Sequence, residues 1–200
     1  VVSGSSQARL RRCLETLRPA AEPFECRLVV TDNLSGWDVA GTAREFFPGA
    51  EIISNDVKKG FGRNHNRALV GRKDDFALVI NDDVEFRPDT LAILVELADA
   101  KPHGALFGPI IHPGSWEAPW IPPGGRLGEM IPKPLSAAAA AIIAALFGQP
   151  AVKAFLRRRN SAKERRDEPL SYICGACCLV RRSFIESHSL YDEDYHMYFE

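Results

Sequence analysis

One stretch of ten residues constrains the fold of this chain more than any other, because an apolar run there leads directly into acids. Residues 76–80 read Phe-Ala-Leu-Val-Ile without a polar break, and Asn81, Asp82 and Asp83 follow at once. A continuous apolar run with branched side chains is typical of a strand buried on both faces, as in a parallel sheet. Acids at its carboxyl end lie at the edge where open α/β sheets bind their ligands.

The two adjacent carboxylates of this stretch have two interpretations. Asp82 and Asp83 can begin a solvated turn before Pro88. Alternatively they form a binding site, because neighbouring carboxylates repel unless a positive charge lies between them, and a divalent cation bridging phosphates is a common source of that charge. The stretch by itself leaves both interpretations open.

Strand and helix patterns alternate four times in roughly the first 110 residues, which predicts right-handed βαβ units and a mostly parallel sheet. The first helix is capped by Ser5 or Ser6 and ended by Pro19 and Pro23. The later helices are predicted at 38–47, from the loop 55–66 into Leu69, and from Pro88 onward. The predicted strands are 1–3, 27–31, 51–54, 76–80, 105–111 and 172–181.

The alternation of strands and helices predicts where the acids lie in the sheet. Asp32 follows the strand 27–31 just as Asp82 and Asp83 follow the strand 76–80. Because the carboxyl ends of parallel strands meet at one edge of a sheet, these acids are expected to share that edge. The pattern therefore favours a ligand site over a solvated turn.

The composition indicates a globular protein but does not by itself identify a binding partner. The 200 residues are 46% apolar and 26% charged with a net charge of −1, which suits one globular domain with a full core. We expect no nucleic-acid partner. Five cysteines without regular spacing indicate a reducing, cytosolic setting rather than a disulfide framework. Cys174, Cys177 and Cys178 lie in an apolar run and are interpreted as core residues rather than metal ligands.

The composition of the sequence changes between residues 112 and 170. Prolines interrupt its first part, residues 135–147 are rich in alanine and isoleucine, and residues 153–166 are basic. The apolar run is too short to span a bilayer, which takes about 20 residues. Residues 135–166 can lie on an anionic membrane surface, or the apolar part can pack in the core beside a solvated basic loop. Both interpretations remain open.

The end of the chain mixes acids with aromatic side chains. Residues 190–200 read Leu-Tyr-Asp-Glu-Asp-Tyr-His-Met-Tyr-Phe-Glu. Buried acids need partners and exposed aromatic rings need a surface, so this mixture suits a wall that binds sugar, with rings against C–H groups and carboxylates on hydroxyls. The abrupt beginning at Val1 and end at Glu200 predict a piece of a longer protein.

Together these segments resemble the family-2 glycosyltransferases of GT-A fold, in the branch that is similar to bacterial rhamnosyltransferases. The resemblance covers about residues 1–111 and 171–200, and no counterpart is placed for the stretch between them. Five segments in the family's order make it specific, although each alone is weak. The matching segments are 29–35, 55–66, 79–85, 174–182 and 191–200.

The resemblance implies one GT-A domain over residues 1–200: a mostly parallel central sheet flanked by helices. Residues 1–111 form its nucleotide-sugar-binding half, residues 112–170 are a variable helical and basic insertion, and residues 171–200 lie on the acceptor side. It implies inverting transfer from a nucleoside-diphosphate sugar, with dTDP-rhamnose or a UDP-sugar as donor, to a saccharide or polyprenyl-linked acceptor. Cell-wall or polysaccharide synthesis is the corresponding setting, with a cytoplasmic protein that can contact the inner face of the cell membrane peripherally.

The resemblance also implies roles for individual residues. Asp83 holds Mg²⁺ or Mn²⁺ against the diphosphate, and Asp82 is a second candidate ligand. The general base is the residue after Glu200, so no catalytic residue is named within the chain. The implied donor-binding residues are Asp32, Asn33, Gly60, His65, Asn66, Asn81, Asp82 and Asp83, and the implied acceptor-side residues are Gly175, Asp192, Glu193 and Tyr198.

Two other functions are weighed against sugar transfer. Residues 3–10, Ser-Gly-Ser-Ser-Gln-Ala-Arg-Leu, echo the loop of sugar nucleotidylyltransferases, but they contain one glycine and leave the aromatic and acidic tail unexplained. A binding module that holds a nucleotide sugar without turnover is the other alternative, because the expected base lies beyond Glu200.

Overall fold

A computed structural model describes residues 1–4, 6–109, 111, 173–187 and 189–196 of the chain. These residues form strands and helices that alternate through the first hundred positions. The elements are β1 (Val2–Ser3), α1 (Gln7–Ala21), β2 (Val29–Asp32), α2 (Val39–Phe46), β3 (Glu51–Ser54), α3 (Phe61–Leu69), β4 (Phe76–Ile80), α4 (Thr90–Ala100), β5 (Leu106–Phe107), β6 (Cys177–Arg181) and α5 (Arg182–Ser187).

The strands form two groups of three that a single bridge joins. In the first group β1 pairs with β2 and β2 with β3, all in parallel. In the second group β6 lies between β4 and β5 and is antiparallel to both. A parallel bridge between Val2 and Asn81 connects the groups, so the order is β3-β2-β1-β4-β6-β5. The predicted α/β fold, with a largely parallel sheet flanked by helices, is confirmed.

The first three crossovers place helices on both faces of the sheet, as right-handed connections require. Helix α1 contacts α2 and α4, whereas α3 packs on β1 and β2. The crossovers β1–α1–β2 and β2–α2–β3 run in one direction along the sheet, and β3–α3–β4 runs back, which assigns α3 to the opposite face. Four side chains of α1 recur at helical spacing and are buried: Leu10, Cys13, Leu14 and Leu17.

Three predicted boundaries are wrong. Helix α1 continues through Pro19 to Ala21 although an interior proline removes one helix hydrogen bond, because the buried Ala20 and Ala21 hold the last turn in place. Strand β5 has two residues rather than seven, since Gly108 and Pro109 follow it and proline cannot donate a ladder hydrogen bond. Strand β6 begins only at Cys177, after a turn at Gly175 and Ala176.

Two of the three clustered cysteines lie in the core, as the sequence predicted. Cys177 and Cys178 are buried in β6, Cys174 is half-buried, and all five cysteines are free thiols. Burial raises the pKa of Cys178 to about 11 and that of Cys13 to about 12, so both remain protonated at neutral pH. They fill core space and are poor nucleophiles.

Helix α1 begins at a cap that can be tested separately. The Ser6 hydroxyl oxygen accepts a hydrogen bond from the Arg9 backbone N–H at 3.3 Å. Ser6→Ala removes this acceptor, and we expect it to lower the free energy of unfolding by about 1 kcal/mol. Urea unfolding followed by circular dichroism measures the change. Ser6→Asp keeps an acceptor, so its stability should stay near that of the natural protein; equal losses in the two variants would contradict capping.

The chain divides into two compact units, residues 1–109 with 175–200 and residues 110–174. The predicted surface segment 135–166, like almost all of the second unit, lies outside the described residues. Within the described part of the chain, no helix is both long and apolar enough to cross a membrane.

Candidate functional site

The carboxyl ends of β1, β2 and β4 bring the predicted acids to one edge of the sheet. Ser3 pairs with Asp32, and the Asn33 backbone N–H donates to the Ser3 carbonyl at 2.9 Å. The bridge between Val2 and Asn81 places the end of β4 directly beside the end of β1. Asp32 and the Asn81–Asp83 segment therefore lie on the same edge.

The two adjacent acids of this edge have different environments. Asp82 is buried, and its Oδ2 accepts hydrogen bonds from the Ser3 hydroxyl at 3.2 Å and the Gly4 N–H at 3.1 Å. Asp83 is exposed over 47% of its side chain, and its carboxylate lies 3.7 Å from the Arg9 guanidinium. Asp82 thus ties the start of the β1–α1 loop to β4, while Asp83 faces solvent at the edge.

The loop after β2 is shaped around Asp32. The Asp32 Oδ1 accepts a hydrogen bond from the Ser35 backbone N–H at 2.9 Å. Between them Leu34 has a φ of 57°, an uncommon conformation for a side chain of this size, and it is 46% exposed. The Asp32 carboxylate therefore holds a tight turn that presents Leu34 at the site edge.

Three asparagines link the loops that follow β2 and β3 to helix α3. Asn55 donates from Nδ2 to the Asn33 Oδ1 at 2.9 Å and to the Asn64 Oδ1 at 2.7 Å. Asn33 and Asn64 each donate to the Lys59 carbonyl at 3.1 Å, and the Lys59 N–H donates back to the Asn33 Oδ1 at 2.9 Å. Arg67 completes the network with a 2.7 Å hydrogen bond to the Asn55 Oδ1. The asparagine network fixes Asn33, one of the predicted donor-binding residues.

Sequence reasoning did not assign Asn55 or Asn64 to the site. Asn55 directly follows β3 and so lies at the same sheet edge as the acids, which was the available signal. Asn64 lies inside α3 and is 1% exposed. Its role depends on side-chain contacts that spacing along the chain does not reveal.

The tail segment, residues 189–196, packs against the first turn of α3. A Cβ at Gly60 would lie 2.7 Å from the His196 carbonyl oxygen, and one at Gly62 would lie 2.8 Å from the Tyr191 Cβ. The Phe61 N–H donates to the same His196 carbonyl at 2.9 Å. The two glycines therefore allow the tail segment to approach α3 closely.

Asn66 also binds the tail segment, on the next turn of α3. Its Nδ2 donates to the Tyr191 carbonyl at 2.9 Å and to the Glu193 Oε1 at 3.1 Å, and its Oδ1 accepts from the Tyr191 N–H at 3.1 Å. Arg63 donates to the Glu193 Oε2 at 3.0 Å. Asn66 and Glu193, predicted for opposite sides of the reaction, are thus direct partners.

His65 lies in the interior rather than at the open edge. It is 3% exposed and packs between the rings of Phe61 and Tyr191, whose centroids lie 4.5 and 5.7 Å from its own. Burial lowers the pKa of His65 to about 3. The imidazole is therefore neutral at physiological pH and supplies no positive charge to a diphosphate.

The buried imidazole makes stability depend on pH. The unfolded chain binds a proton at His65 below about pH 6.5, whereas the folded chain does not until about pH 3, so stability falls as the pH decreases through this window. We expect the natural protein to lose about 1.5 kcal/mol more than His65→Gln between pH 6.5 and 5. Urea unfolding at both pH values tests this, and parallel losses in the two proteins would show that another group titrates.

The remaining predicted residues are less informative. Gly175 faces Phe61, and a Cβ there would lie 3.4 Å from the Phe61 ring. Asp192 accepts a hydrogen bond from the Asp194 N–H at 3.0 Å within its own turn. Tyr198 and Glu200 lie outside the described residues, as does any residue that follows.

The side chains that could act as metal ligands at this edge determine which kind of metal site is feasible. Among the described residues, no group of three or more histidine, cysteine, aspartate or glutamate side chains forms a closed site. Mg²⁺ commonly binds through one or two carboxylates while it keeps waters and substrate phosphates as further ligands. The exposed Asp83 carboxylate fits that open arrangement, whereas the Asp82 Oδ2 is already bonded to the β1–α1 loop.

An open α/β sheet with acids and amides at the carboxyl ends of its parallel strands defines a class of protein that binds ligands at that edge. The sequence model described as "Glycosyl transferase family 2" matches residues 4–188. The chain therefore belongs to glycosyl transferase family 2.

Known proteins agree with this assignment. The chain is 26% identical over 221 aligned residues to the N-acetylglucosaminyl-diphospho-decaprenol L-rhamnosyltransferase of two Mycobacterium tuberculosis strains. The alignment covers the whole chain but only 66% of the relative's length. A crystal structure of a mycobacterial protein aligns over 93% of this chain and 53% of its own, with a TM-score of 0.53 and 16% identity, and so supports the fold alone.

Proposed function

We propose that this chain transfers a sugar from a nucleoside-diphosphate donor to an acceptor hydroxyl with inversion at the anomeric carbon. The observation that carries the proposal is the shared sheet edge: in a chain of glycosyl transferase family 2, Asp32 and the exposed Asp83 lie on the same edge. In this proposal, the asparagine network and the tail segment form the walls of the site around this edge.

The donor side is assigned from the edge outward. Asp32, Asn33 and the asparagine network bind the nucleoside, and Asp83 holds Mg²⁺ or Mn²⁺ against the diphosphate. When bound, the cation neutralises negative charge that develops on the leaving diphosphate. Asp82 positions the β1–α1 loop through Ser3 and Gly4. Asn66 and His65 act indirectly, because their side chains hold the tail segment.

The acceptor side is assigned to the tail segment and to the residues after it. Asp192, Glu193, Gly175 and Tyr198 belong to this side, and a carboxylate following Glu200 is the proposed general base. A base on the face opposite the leaving group deprotonates the acceptor hydroxyl, so a single displacement inverts the anomeric carbon.

We further propose dTDP-rhamnose as donor, with UDP-sugars as the next class, and a saccharide or polyprenyl-linked acceptor. The supporting observation is the similarity to a rhamnosyltransferase whose name specifies a decaprenol-linked acceptor. Such an acceptor places the reaction at the cytoplasmic face of a membrane, with residues 135–166 as the proposed peripheral contact.

A panel of nucleoside-diphosphate sugars tests the proposal. Release of nucleoside diphosphate, with and without Mn²⁺, is measured for residues 1–200 and for the protein extended by the residues that follow. Metal-dependent release from one donor supports transfer. Titration calorimetry that detects donor binding without turnover in both proteins would favour a binding module, and pyrophosphate release from a nucleoside triphosphate and a sugar phosphate would favour a nucleotidylyltransferase.

A further inference from the structure

The β1–α1 loop and the first turn of α1 contact both acids that follow β4. Ser3 and Gly4 donate to Asp82, and Arg9 lies 3.7 Å from the Asp83 carboxylate. The Ser6 cap receives the Arg9 backbone N–H, so the start of α1 sets the position of the arginine. One short segment therefore supplies hydrogen-bond donors to the buried acid and a positive charge to the exposed one.

Other cationic side chains near this edge have different partners. Arg63 is paired with Glu193, and Arg67 with Asn55. His65 is buried and neutral. Arg9, in contrast, lies against the acid assigned to the metal.

We infer that Arg9 is a cationic contact for the donor diphosphate and that it competes with the divalent cation for Asp83. The inference rests on the proposed function. In the free protein Arg9 balances the Asp83 charge. A cation on Asp83 repels the guanidinium, and the diphosphate attracts it. The Arg9 side chain is 62% exposed, so it can exchange one oxygen partner for another without leaving a buried site. The planar guanidinium fork suits phosphate oxygens better than an ammonium does.

The inference predicts opposite effects on two ligands in Arg9→Gln. Mn²⁺ alone should bind about 1.5- to 5-fold more tightly, because its competitor for Asp83 is gone. Thymidine diphosphate and uridine diphosphate in saturating Mn²⁺ should bind about tenfold more weakly, because a charge-assisted contact is lost. Free thymidine and uridine should bind as they do to the natural protein. Titration calorimetry measures every affinity, and electron paramagnetic resonance gives a second measure of bound Mn²⁺.

Two further variants make the result specific. Arg11→Gln removes an exposed arginine of the same helix that pairs with Glu45 instead, so neither affinity should change. Arg9→Lys keeps the charge but not the fork, so Mn²⁺ affinity should stay near the natural value while diphosphate affinity falls part of the way. A merely structural role would move both affinities in one direction.

The possible outcomes test the role of Arg9 separately from the proposed function. If the natural protein binds nucleoside diphosphate and Arg9→Gln binds it equally well, the inference is wrong and the proposed function stands. If the natural protein binds no nucleoside diphosphate with Mn²⁺, the proposed function fails and the inference fails with it.

Discussion

Replacing Asp83 with asparagine is expected to lower metal-dependent sugar transfer by on the order of 10³-fold, with the fold unchanged. A neutral amide is a poor ligand for a hard divalent cation, and the cation contributes several kcal/mol to stabilising charge on the leaving group. The side chain is exposed over 47% of its surface and pairs only loosely with Arg9, so the substitution strands no buried group. Initial rates across a range of Mn²⁺ concentrations, together with unfolding curves, measure both parts of the expectation.

Asp89→Asn is the matched control. Asp89 is another exposed acid that follows β4; it pairs with Arg87 at the start of α4, where asparagine serves as a helix cap equally well. Its transfer rate should remain within about twofold of the natural value, because surface pairs contribute little. Full activity in Asp83→Asn would remove the metal assignment.

Replacing Asn55 with alanine is expected to lower the free energy of unfolding by about 2–4 kcal/mol. Asn55 is 5% exposed and makes hydrogen bonds to Asn33, Asn64 and Arg67 at 2.7–2.9 Å. Alanine leaves the Asn64 Oδ1 without this donor in the interior, and it frees the Arg67 guanidinium from its amide partner. Nucleoside affinity should fall as well, because Asn33 loses one of the two donors that position its Oδ1.

Asp56→Ala is the control for this network. Asp56 is the neighbouring residue, its side chain is 87% exposed, and its contact with Lys59 is 3.8 Å long. We expect a change within about 0.5 kcal/mol. Urea unfolding and calorimetric titration of nucleoside should therefore separate Asn55 from its neighbour; similar values for the two variants would mean that the network adds little to stability.

Local patterns predicted most of the first half of the fold. Strand β3 occupies residues 51–54 as predicted, and Ser6, one of the two predicted cap residues, caps α1, because periodicity and capping depend on neighbours in the chain. The antiparallel position of β6 between β4 and β5 depends on pairing across more than seventy residues, which no local signal encodes. The continuation of α1 past Pro19 is similar, since burial of Ala20 and Ala21 outweighs the local preference.

The candidate site divides along the same line. The positions of Asp32 and Asp83 were predictable, because acids that follow buried parallel strands lie at the carboxyl edge of the sheet. The interior position of His65 was not, since its rotation into the space between Phe61 and Tyr191 depends on a segment 126 residues away. The contrast between Asp82 and Asp83 likewise depends on where the β1–α1 loop places Ser3 and Arg9.

Helix α3 has a consequence for how such proteins diversify. Asn64 joins it to the loop after β3, while Gly60, Gly62 and Asn66 join it to the tail segment. One nine-residue helix is therefore a common wall of two surfaces. A larger residue at Gly60 or Gly62 is compatible only with a changed tail segment. Substitutions at these glycines are therefore expected to occur together with substitutions in the tail segment. Chimeras between relatives should accordingly exchange residues 55–66 and 189–196 together, as one cassette.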